Sequence, residues 1–99
     1  MLNIYKTENG TELMIALEGR LDTVTSPTLE GELKNALDGV ESLIFDMEKL
    51  QYISSAGLRV LLSAQKVMNR QGSMVVRNAS DDVKEIFDVT GFSDILTIE

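Results

Sequence analysis

The apolar run Leu43-Ile44-Phe45 constrains this chain more than any other feature, because it is too short for a buried helix and suits a parallel strand covered on both faces. Helical spacing follows: Leu58, Leu61, Leu62 and Met68 recur between Ser55 and about Arg70, and Gln71-Gly72 supplies a stop. A strand that hands over to a long amphipathic helix is half of a crossover unit, and the same alternation extends to either side.

On the N-terminal side, Leu2–Glu8 and Thr11–Glu18 read as strands joined by Asn9-Gly10, a dipeptide suited to a two-residue type I′ hairpin. Leu13, Ile15 and Leu17 alternate with Met14 and Ala16, as in a strand lying inside a sheet. Ser26-Pro27 reads as an N-cap followed by Pro at the first helical position. The stripe Leu29, Leu33, Ala36, Leu37 and Val40 then runs past a plausible stop at Gly39. The strand around Phe45 is expected over Ser42–Met47. Beyond the long helix, Ser73–Arg77 gives a short strand, and Ser80-Asp81-Asp82 caps a third helix bearing Val83, Ile86, Phe87 and Thr90. Gly91 ends that helix, and Ile95–Ile98 forms a last short strand. The predicted class is α/β: a small single-domain sandwich spanning residues 1–99. Its mixed sheet has an N-terminal antiparallel hairpin followed by βαβαβ with parallel strands, and it carries three main helices.

Composition closes off many chemistries. With no Cys there are no disulfides, thiolate nucleophiles or zinc fingers, and with no His the usual general base and the commonest transition-metal ligand are missing. No Gly-x-Ser-x-Gly elbow, Ser-x-x-Lys arrangement at Ser54 or Ser55, or P-loop is present, so neither an enzyme activity nor a bound cofactor is expected, and any ATP would belong to another protein. A formal charge of −7 opposes binding to nucleic acid or to an anionic membrane, and favours a protein partner with a basic face. No apolar stretch long enough to cross a bilayer and no signal sequence are seen, so a soluble, cytoplasmic protein without direct membrane insertion is expected.

The candidate site is the junction Ser54-Ser55-Ala56-Gly57-Leu58, where the strand meets the long helix. Free N–H groups and the positive end of the helix dipole gather at a helix N-terminus, so a phosphorylated serine is favoured there, although either hydroxyl could equally serve as a plain N-cap. Gly57 within the helix costs roughly 0.5–1 kcal/mol relative to Ala, and close approach by another backbone or by a partner would account for it. Asp22 after the second strand and Asp46 at the end of the third are expected on the same rim. There they could face a partner or share Mg²⁺ with phosphate oxygens, or act only as a turn residue and a solvated strand end.

The run Asp46-Met47-Glu48-Lys49-Leu50-Gln51-Tyr52-Ile53-Ser54-Ser55-Ala56-Gly57-Leu58 resembles the signature of bacterial anti-sigma factor antagonists of the STAS domain family. Gly19-Arg20-Leu21-Asp22 is similar to that family's Gly-x-x-Asp, and Val83 to Phe92 is similar to its last helix and following loop. The resemblance implies an antagonist whose unphosphorylated form binds an anti-sigma factor serine kinase and frees a sigma factor. Phosphorylation ends that contact and a protein serine phosphatase restores it. It implies Ser55 as phosphoacceptor, with Ser54 as a second candidate, and a partner face of Asp22, Thr23, Asp46, Ser54, Ser55, Ala56, Gly57, Leu58 and Arg59. Ser54 stands where the family often has Asp, and Arg59 where Gly is frequent. The family also contains modules that are not phosphorylated, so a structural subunit of a larger complex, such as a lipid ABC transporter, is the alternative.

Overall fold

A computed structural model describes residues 1–99. The elements in chain order are β1 (Leu2–Asn9), β2 (Glu12–Leu21), α1 (Ser26–Ala36), β3 (Ser42–Ile53), α2 (Ser55–Gln71), β4 (Ser73–Arg77) and α3 (Asp81–Thr90), with a 3₁₀ turn at Phe92–Asp94. The sheet runs β1-β2-β3-β4; β1 and β2 are antiparallel, and β2, β3 and β4 are mutually parallel. The predicted mixed sheet and three helices are therefore present.

Each parallel connection steps one strand further in the same direction, so right-handed crossovers deliver every helix to the same face of the sheet. Leu13, Ile15, Leu17, Leu43, Phe45, Met47, Met74 and Val76 point to that face and join Leu29, Leu33, Leu58, Leu61, Met68, Val83 and Phe87 in one cluster of 24 buried residues. This corrects the expectation of a strand covered on both sides. The opposite face carries exposed Tyr5, half-buried Met14, Ala16 and Val75, and no helix. Ile44 is only 5 % exposed there yet stands outside the core cluster, because its sheet neighbours Met14 and Val75 flank it.

Four boundaries differ from the sequence reading. The hairpin turn is Gly10-Thr11, since Asn9 pairs with Glu12; Gly10 alone has positive φ, the sign pattern of a type II′ turn. Strand β3 runs six residues beyond Met47, to Ile53. Register shifts at Ala16/Glu18 and Gly19/Arg20 place Met47, Leu50 and Ile53 inward at three-residue spacing, which neither strand nor helix periodicity reveals. Helix α1 is approached by a turn that begins at Asp22, and Ser26 is not its cap. The last strand shrinks to a single parallel bridge, Val76 to Ile98, because the chain spends Phe92–Asp94 on the 3₁₀ turn.

Candidate functional site

Strands β2 and β3 project past the end of β4 as a paired ribbon: Leu21 sits opposite Ile53, whereas Arg77, the last residue of β4, pairs with Asp46. Two loops leave the tip of this ribbon side by side, and the Ser54 N–H donates to the Leu21 carbonyl at 2.9 Å to bind them together. Asp22 and Ser54 are thus neighbours through the register of the sheet.

Within the first loop, Asp22 and Thr25 cap each other. Asp22 Oδ1 accepts from the N–H groups of Val24 and Thr25 at 3.0 Å, while the Asp22 N–H donates to Thr25 Oγ1 at 2.9 Å, a reciprocal pair of the capping-box kind. The one proton of the Thr25 hydroxyl is shared between the Arg20 carbonyl at 2.8 Å and Asp22 Oδ1 at 3.2 Å. The Thr25 N–H is the main reason the Asp22 carboxyl is held below its ordinary range; the Thr25 hydroxyl and the Val24 N–H add to it. This polar knot leaves Thr23 exposed and pushes Val24 into solvent at 83 % exposure. Beside it, the Arg20 guanidinium stacks 4.4 Å over the ring of its cross-strand neighbour Tyr52. The sequence reading passed over Thr25, Val24, Arg20 and Tyr52, although the Asp-x-x-Thr spacing is a visible signal for the first of these.

In the second loop the two serines diverge. Ser54 is extended, with φ −97° and ψ 175°, and is the N-cap of α2; its Oγ accepts from the Gly57 N–H at 3.5 Å and its carbonyl from the Leu58 N–H at 2.9 Å. Ser55 is the first residue of the helix, exposed, and its hydroxyl takes part in no intramolecular hydrogen bond. No acidic residue lies in the first turn, and Arg59 is exposed one turn further along the same side. Ala56 is half-buried.

Three expected site residues stand elsewhere. Gly57 and Leu58 were expected on the partner face but are buried within the molecule, where they seat the helix on the ribbon. A Cβ on Gly57 would lie 2.7 Å from Leu21 Cγ and 2.9 Å from Ile53 Cγ1, so internal packing of α2 onto the ribbon is the close approach this glycine permits. Asp46 is not at the strand end. It lies seven residues before Ile53, roughly 23 Å of strand away, on the open face, where its Oδ1 accepts from the Glu48 N–H at 3.1 Å and from Asn78 Nδ2 at 3.2 Å. Asp22 and Asp46 are therefore too far apart to share a Mg²⁺ ion, and no group of three or more carboxylates able to hold a metal occurs in the molecule.

The residue pattern of the STAS domain family matches positions 3–99. The chain belongs to the STAS domain family. A Bordetella bronchiseptica protein provisionally named as an anti-sigma factor antagonist, BtrV, is 36 % identical over 88 residues, covering 87 % of this chain and 76 % of that protein. An anti-sigma factor antagonist from Mycobacterium paratuberculosis, known from its crystal structure, superposes with a TM-score of 0.89 at 17 % identity, over 99 % of this chain and 85 % of that one. The Bacillus cell fate determinant SpoIIAA in its phosphorylated form superposes at 0.76 with 18 % identity, over 98 % and 91 %. These two likenesses carry the STAS fold. No helix of this STAS chain is long and apolar enough to cross a membrane.

Proposed function

We propose that this STAS protein is an anti-sigma factor antagonist switched by phosphorylation of Ser55. Unmodified, it binds an anti-sigma factor that is also a serine kinase, and a sigma factor is released. Phosphate transfer to Ser55 ends the contact, and a separate serine phosphatase restores it. The observation that carries this reading is the division of labour at the junction: Ser54 commits its oxygen to capping α2, while Ser55 presents a free hydroxyl to solvent. The naming of BtrV supports it, as does a phosphorylated state in a protein of the same fold.

A phosphoryl group on Ser55 adds roughly −1.5 to −2 charges at pH 7 at the positive end of a 17-residue helix. Within the free protein the first-turn N–H groups tolerate that charge, so little backbone movement is needed. In the complex the same dianion must shed water and enter a surface shaped for a small hydroxyl, close to the Asp22 carboxylate. Leaving a buried charge uncompensated costs about 3–5 kcal/mol, and about 1.4 kcal/mol already shifts affinity tenfold. A hundredfold switch is therefore within reach.

Incubation with the partner kinase, ATP and Mg²⁺, followed by mass-spectrometric mapping of the phosphosite, tests the assignment. Label at Ser55 that disappears in Ser55→Ala and persists in Ser54→Ala is expected. Label confined to Ser54, or none, overturns it.

A further inference from the structure

Helix α2 differs from the other two helices in charge. The protein holds sixteen Asp and Glu against nine Lys and Arg, yet α2 contains Arg59, Lys66 and Arg70 and no acidic residue at all. Helix α3, by contrast, sets Asp81, Asp82, Glu85 and Asp88 against Lys84 alone, and on α1 Glu30 and Glu32 outnumber Lys34. All three α2 cations are exposed, and none enters an ion pair; the pairs in the molecule are Lys6–Glu32, Arg20–Asp22 and Arg77–Glu99.

Their spacing makes them one feature. At 100° per residue, Ser55, Arg59, Lys66 and Arg70 fall within about 60° of arc, and at 1.5 Å per residue they span roughly 22 Å. The opposite side of the helix, with Leu58, Leu61 and Met68, is committed to the core. Ser55 stands at the head of this row, and the dipole adds to its positive potential there.

We propose that the exposed face of α2 is an electropositive rail that docks an acidic surface of the partner kinase, and that a phosphate on Ser55 switches docking off partly by neutralising the rail. This rests on the proposed function and adds the chemistry of the surface the partner presents. An acidic protein surface fits better than a nucleic acid: a rail of three cations on a chain of net charge −7 gives too little counterion release to hold a polyanion and too much repulsion flanking it. The phosphate's charge of roughly −1.5 to −2 is half to two-thirds of the rail's +3 and opposite in sign, and it acts most strongly on Arg59, one turn away. Surface charges of this kind act mainly on association rate and on its salt dependence.

The test measures binding of the kinase to wild type, to Lys66→Glu with Arg70→Glu, and to a control of equal net charge, Lys34→Glu with Lys84→Glu. Phosphate incorporation at Ser55 is followed in the same samples. The rail variant is expected to bind roughly tenfold or more weakly at low ionic strength, chiefly through slower association, and to lose most of the salt dependence seen for wild type; the control stays within about twofold. If thermal melts show the double Glu variant unfolded, Lys66→Gln with Arg70→Gln replaces it, with the same direction expected. Unchanged binding of the rail variant overturns the proposal, as does an equal loss in the control, which would mean that net charge alone matters. Wild-type capture by anionic phospholipid vesicles, lost in the rail variant while kinase binding is kept, also overturns it and assigns the rail to a membrane surface. Failure of wild type to be labelled at Ser55 refutes the proposed function instead, and the binding comparison still decides the rail.

Discussion

The two sides of α2 do opposite jobs with the same backbone. The inner side, Gly57, Leu58, Leu61 and Met68, is sealed against the sheet, and each of those positions is fixed by what it touches. The outer side, Ser55, Arg59, Lys66 and Arg70, is exposed and enters no ion pair, so the core does not dictate its residue choices. Ser54 and Ser55 show the difference at the scale of one peptide unit: the same side chain is structural in one place and available in the next.

This contrast can be broken by substitution. The largest expected effect is on the inner side, where Leu61→Ala removes a fully buried side chain and should cost about 2–5 kcal/mol in denaturant unfolding. Gly57→Ala comes next. Its new methyl would meet the buried Leu21 and Ile53 side chains at under 3 Å, an overpacking cost of about 1–3 kcal/mol that outweighs the roughly 1 kcal/mol gained in helix propensity. A Gly57→Ala protein as stable as wild type would mean that the glycine serves a partner after all.

The serine pair sharpens the contrast. Ser54→Ala deletes the α2 cap and should lose about 1 kcal/mol, whereas Ser55→Ala should change thermal stability by less than about 0.5 kcal/mol. Equal losses would remove the distinction on which the acceptor assignment stands. The smallest effect is predicted in the neighbouring loop. Because Asp22 titrates below its usual value in the folded state, the stability it contributes is present above about pH 4 and is lost as pH falls through the depressed native value. Thr25→Val removes one of the bonds responsible and should move the Asp22 carboxyl midpoint upward in an NMR titration.

Much of the architecture is legible from periodicity and caps. Helices α2 and α3 announce themselves through their apolar stripes and through Ser80, whose Oγ accepts from the Val83 N–H at 3.2 Å. The far half of β3 is not legible, since register shifts opposite Glu18 and Arg20 destroy its alternation. That omission misplaced Asp46: a strand read as ending at Met47 puts its carboxylate on the Ser55 rim, whereas the ribbon carries the rim well beyond it. One-sided coverage of the sheet was hidden for a similar reason, because Ile44 looks like a second buried face although flanking strands alone shield it. The rail, conversely, was visible in the sequence as a stretch from Ser55 to Gln71 without a carboxylate, but its meaning depends on knowing which side of the helix the core occupies.

In the proposed switch, a dianion on one exposed hydroxyl controls docking. Calorimetric titration of the kinase with unmodified protein and with protein homogeneously phosphorylated at Ser55 decides whether it does. Phosphorylation is expected to lower affinity roughly a hundredfold or more, with the fold unchanged by circular dichroism. Equal affinities for the two forms would contradict it.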